Sequence, residues 1–92
     1  MTCVVELFGV ARMLAGCRDV PITVPDGATL ADVWSALSRQ VPMLAGRVIA
    51  SNGAGLADGY ACNVNGLDFV RNSAASINPG DRVLIVSADA GG

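Results

Sequence analysis

Apolar residues fill "CVVELFGV", residues 3–10, almost without a break, a pattern that predicts a strand buried on both faces. "VARMLAG" follows, long enough for one helical turn closed by Gly16. "DVPITVP" alternates, with Val20, Ile22 and Val24 on one side and Asp19 and Thr23 on the other. Pro21 has no N–H to give to a ladder, so this second strand belongs at a sheet edge and forms a wide hairpin with the first. The clearest helix is "DGATLADVWSALSRQVP". Thr29 is placed to cap it, Asp32 stands three residues on as an acidic capping-box variant, and Pro42 stops it. Leu30, Val33, Trp34, Leu37 and Val41 make one apolar stripe. Trp34 belongs to that stripe, which favours a core anchor over a ligand platform.

Residues 43–59 show no period; four glycines and small side chains suggest a short helical turn and then a loop. "YACNVNG" reads as a strand running into an Asn65-Gly66 hairpin turn, with "LDFV" returning. "RNSAASINPGD" is a polar connection ending in the turn Asn78-Pro79-Gly80-Asp81. "RVLIV" is the last strand, and Val83, Leu84, Ile85 and Val86 suit a central position buried on both faces. The order is two strands, a helix and three strands, with the most apolar strands first and last. One helix must then cover one face of a mixed sheet of four to five strands, a two-layer α+β domain.

A length of 92 residues makes this one domain. Although 52% of the residues are hydrophobic, no apolar run approaches the ~20 residues of a membrane span, so no membrane partner is expected. The first residues lack the basic start and small-residue cleavage site of a signal peptide, which makes the cytoplasm the expected location. Eight acids and six bases give a net charge of −2, with no basic patch and four aromatic residues; nucleic acid is not an expected partner. Every base is an arginine, so no lysine side chain is available for acylation.

As an enzyme the chain is poorly equipped. It has no histidine, no lysine, no G-x-S-x-G and no phosphate loop, and Glu6 is its only glutamate. Cys3, Cys17 and Cys62 are odd in number and lack C-x-x-C spacing, so neither a disulfide framework nor a metal site is expected. Cys3 and Cys62 lie in apolar runs as core residues; Cys17 falls in a turn, where a redox-active thiol would be exposed. Arg12 and Arg71 are isolated bases that could meet a partner's acid.

The tail carries the sharper signal. "SADAGG" leaves the last strand directly and ends in Gly91-Gly92. At ~7% glycine usage, about one chain in two hundred ends this way by chance. Glycine lacks a Cβ, so this pair fits a channel too narrow for other residues. The six residues 87–92 reach at most ~20 Å when extended, enough to place a carboxylate inside another protein's active site.

"INPGDRVLIVSADAGG", together with "LFGVARMLAG", "VPDGATLADVWSAL" and "VNG", resembles the MoaD/ThiS family of ubiquitin-like β-grasp sulfur carriers over nearly the whole chain. The length and the long first hairpin favour the type that forms the small subunit of molybdopterin synthase. The resemblance implies a β-grasp domain over residues 1–86 with its first and last strands paired in parallel at the centre, and a flexible tail over residues 87–92. It implies that a ubiquitin-activating-type enzyme uses ATP to adenylate the Gly92 carboxylate, and that sulfur then replaces AMP to leave a thiocarboxylate. Gly92 carries the reacting atom, Gly91 gives channel access, and Ser87, Ala88, Asp89 and Ala90 thread the partner. The chain itself would bind no cofactor. The sulfur would pass to the molybdopterin synthase large subunit or to another sulfur-accepting enzyme. The family type often has prolines before the tail, where this chain has Ser87-Ala88, and that departure leaves the receiving enzyme open. Sulfur delivery for cysteine, thiamin or a secondary metabolite, a ubiquitin-like protein modifier, and an interaction module with an incidental tail are the competing readings. The excess of apolar residues for one small core also predicts a docking patch on the sheet face away from the helix, with Phe8 and Phe69 as anchors.

Overall fold

The computed structural model describes residues 1–88. Five strands form one mixed sheet: β1 (Thr2–Leu7), β2 (Asp19–Thr23), β3 (Tyr60–Val64), β4 (Asp68–Phe69) and β5 (Arg82–Ser87). Their spatial order is β2-β1-β5-β3-β4. β5 lies at the centre, parallel to β1 from Val4–Arg82 to Leu7–Ile85 and antiparallel to β3. The Pro21 strand lies at the edge, where its missing N–H breaks no ladder.

Two helices complete the domain. α1 (Gly9–Ala15) closes on Gly16, whose φ of 76° lets its N–H reach the Arg12 carbonyl at 2.9 Å. α2 (Leu30–Gln40) starts at Thr29, and Thr29 and Asp32 form a reciprocal capping box. Leu30, Val33, Trp34 and Leu37 are buried, which makes Trp34 a core anchor. They share one core with Cys3, Val5 and Leu7 of β1, Val20 and Ile22 of β2, and Val83 and Ile85 of β5.

β1 and β5 are not buried on both faces. Val5, Leu7, Val83 and Ile85 are sealed, whereas Val4, Glu6, Leu84 and Val86 are half-buried. A chain with one long helix has a layer for one face only, and strand alternation leaves the other face open. β1 also ends at Leu7, earlier than its apolar run; Phe8 caps α1 and Gly9, at φ 56°, turns the chain out of the sheet.

The vague segment 43–59 is more ordered than its composition suggests. A 3-10 turn at Pro42–Leu44 leads into a loop that buries Leu44, Val48 and Ile49 completely. Ser35 Oγ donates to the Gly53 carbonyl at 3.0 Å and ties the loop to α2. The β3–β4 turn has Asn65 at φ 60° and Gly66 at φ 73°, both left-handed, and Leu67 N–H closes it on the Val64 carbonyl at 3.1 Å; Val64 pairs with Asp68, so Leu67 is a third loop residue. β4 is only two residues long.

Candidate docking site at the root of the tail

Topology decides what surrounds the end of β5. Because β1 runs parallel to β5, the end of β1 and the start of α1 arrive at the same end of the sheet. Because β3 runs antiparallel, its first residue Tyr60 pairs with Ser87. Residues 8–10, 58–60 and 87–88 therefore converge on one spot. Between them lies a cleft of about 430 Å³, lined among others by Phe8, Val10, Asp58, Tyr60 and Ser87. Phe8 is 39% exposed and Val10 59%, so the start of α1 offers apolar surface beside the tail. On the other side of the same root a larger cleft of about 600 Å³ is lined by Tyr60, Phe69, Arg71, Ser87 and Ala88, among others.

Ordered structure runs past the expected start of the tail. Ser87 is the last residue of β5, and Ala88 N–H donates to the Gly59 carbonyl at 2.8 Å. Of the remaining predicted tail residues, Asp89, Ala90, Gly91 and Gly92 lie outside the described residues.

The open face of the sheet carries a different chemistry at each end. Phe69, 68% exposed, stands opposite Asn63 on the side away from α2. Leu84 and Val86 lie on that same side by alternation from the buried Val83 and Ile85. Phe8, expected on this face as a strand residue, is the N-cap of α1, one residue past the end of β1, with its backbone still extended. The structure thus separates the two aromatic residues, one to each cleft flanking the root. Toward β2 the face is charged: Arg82 Nη1 donates to Glu6 Oε1 at 2.7 Å and to Asp19 Oδ1 at 3.0 Å. The Arg82 hydrogen bond holds the Asp19 carboxyl below its ordinary range, and the two acids raise the Arg82 guanidinium. Asn63 Oδ1 is sealed from solvent without a hydrogen-bond partner.

The three thiols behave as two classes. Cys3 and Cys62 are buried, and burial pushes the Cys62 thiol up to about 11 and raises Cys3 as well. Cys17 is exposed. No helix among the described residues is long and apolar enough to cross a membrane.

Sequence reasoning named Phe8, Phe69, Ser87 and Ala88, but it missed Val10, Asp58 and Gly59, which the strand directions carry to the same place. The Asp58-Gly59 turn signal was visible in the sequence, but its position relative to the tail depends on strand pairing.

A parallel first and last strand at the centre of a mixed sheet, crossed by one helix, defines the ubiquitin-like β-grasp fold. The ThiS family model matches residues 5–92, and the chain belongs to this family of ubiquitin-like sulfur carriers. SAMP1 from Haloferax volcanii is 26% identical over 100% of both chains, with a TM-score of 0.85. CysO in the Amycolatopsis orientalis BexX/CysO complex structure shows the same fold at 22% identity, with a TM-score of 0.76 over 98% of this chain and 99% of that one. A putative molybdopterin converting factor subunit 1 from Pyrococcus furiosus does so at 21% identity, with a TM-score of 0.74 over 95% of this chain and 97% of that one. No curated protein matches the sequence.

Proposed function

We propose that this chain carries sulfur as a thiocarboxylate on Gly92 and delivers it in molybdopterin synthesis, as the small subunit of molybdopterin synthase. The observation that carries the reading is the ThiS family match, which runs through the Gly91-Gly92 pair. A carboxylate is a poor electrophile. Its oxygen attacks the α-phosphorus of ATP, pyrophosphate leaves, and the acyl adenylate gains AMP as a good leaving group. Hydrosulfide displacing AMP gives the thiocarboxylate directly. A persulfide gives an acyl disulfide, which a second thiol cleaves by taking the distal sulfur into a new disulfide. The ATP and the catalytic groups belong to a ubiquitin-activating-type adenylating enzyme, and the chain supplies the substrate carboxylate and the surface by which it is held. Phe8 beside the tail and Phe69 on the open face are the apolar contacts offered to the adenylating enzyme and to the synthase large subunit.

The likeness to SAMP1, whose name describes a small archaeal modifier protein, favours a second reading: Gly92 joined to lysines of other proteins. Having no lysine, the chain has no side-chain amine on which to build chains of itself. The separating experiment loads the chain with sulfur and mixes it with a molybdopterin precursor and the synthase large subunit. Molybdopterin formed in proportion to the thiocarboxylate consumed supports the proposal. Covalent conjugates to lysine with no pterin product favour the modifier.

A further inference from the structure

Only Asp58 and Gly59 of the loop at residues 45–59 line the cleft beside Phe8, yet the rest of the loop is partly buried. Its interactions lead in one direction. Val48 is fully buried, and its carbonyl accepts from Ala57 N–H at 2.8 Å. Ala57 opens a turn in which Tyr60 N–H donates back to the Ala57 carbonyl at 3.3 Å. Gly59 is the third residue of that turn, at φ 89°, a conformation that favours glycine. Space is not the reason for the glycine, since a Cβ there would meet nothing within 4 Å. The conformation turns the Gly59 carbonyl toward β5, where it takes the Ala88 N–H at 2.8 Å. A continuous path therefore runs from the core, through the loop, to the last described residue before Gly-Gly.

We infer that the 45–59 loop is a launching platform, and that Gly59 is a positioning residue that fixes where and in which direction the tail leaves the domain. The inference rests on the sulfur-carrier reading and names how that reading's reacting carboxylate is aimed. Residues 89–92 follow the clamp, and four residues span at most ~13–14 Å. Without the clamp the tail would start after Ser87, the last residue of β5, and five residues would span ~17–18 Å and sweep a larger volume. A shorter tether from a fixed point raises the effective concentration of the Gly92 carboxylate at the bound ATP once the domain has docked. The clamp acts on the docked step, so its loss lowers kcat and leaves the KM for the carrier in place.

The test measures ATP–pyrophosphate exchange by the ubiquitin-activating-type adenylating enzyme against increasing concentrations of carrier. Ala88→Pro deletes the donating N–H. Ala88→Ser retains it. Gly59→Ala strains the turn that aims the carbonyl. Replacing Ala88 by its α-hydroxy analogue through semisynthesis removes the N–H with no change of side chain. The expected result is a kcat lowered about tenfold in Ala88→Pro, Gly59→Ala and the hydroxy-acid chain, with KM within about twofold of wild type and Ala88→Ser unchanged. Thermal unfolding of each chain separates loss of aim from loss of fold, and the hydroxy-acid chain carries the result if Gly59→Ala unfolds. A kcat equal to wild type in the hydroxy-acid chain overturns the launching platform alone. A wild type that supports no exchange overturns the carrier reading and this inference with it.

Discussion

Cys62 shows how a single buried group makes the whole fold sensitive to pH. Its thiol lies on the helix side of β3, opposite Ile85, and burial holds it protonated to about pH 11, against an ordinary value of 9.0. Between those two values the unfolded chain has lost the proton and the folded chain has kept it. The folded state binds more protons, so stability falls as pH rises through that window and is fully present below it. Urea midpoints should be level up to about pH 9 and decline toward pH 11, with a shallower decline in Cys62→Ala; a flat wild-type profile would contradict the burial. Phe8 was misplaced at this same scale. Its apolar neighbours suggested a strand residue, but the break at Gly9, where φ turns positive, makes it a helix cap beside the tail.

Among the elements, α2 was the most legible, because cap, stripe and stop each carry a separate physical signal. Thr29, Asp32 and the stripe from Leu30 to Leu37 stand where the spacing predicts, while Val41, the last residue of the expected stripe, is the C-cap beyond the helix and only half-buried. Leu37 is fully buried, so Leu37→Ala should cost about 2–5 kcal/mol by denaturant unfolding. A loss below ~0.5 kcal/mol would mean that the core collapses around the gap or that the stripe does not face the sheet. The edge position of β2 was legible from Pro21, and the β3–β4 turn from Asn65-Gly66. The helical turn and loop over 43–59 were legible, but the burial inside that loop was not. Val48 and Ile49 belong to the common core, and neither strand nor helix period marks them. The half-open state of β1 and β5 was also hidden, since an apolar run does not say whether a second layer exists to cover it.

At the scale of the molecule, the parallel pairing of β1 with β5 governs the site. It gathers the start of α1, the start of β3 and the end of β5 at one end of the sheet, so a partner that receives the tail meets Phe8, Val10 and Asp58 around its root. The Gly-Gly ending was readable in the sequence, and so was the family. The collar around the tail was not, because its parts lie some fifty and eighty residues apart in the chain and only strand direction joins them. The central claim is that Gly92 is the residue that receives sulfur. It is tested most directly by incubating wild type and a chain lacking Gly92 with the adenylating enzyme, ATP and a sulfur donor, and weighing the intact products. Wild type should gain about 16 Da, the exchange of one oxygen for sulfur, while the shortened chain keeps its original mass, since its carboxylate ends about 3.3–3.6 Å short of the reacting position. Equal gain of sulfur by both chains would contradict the account.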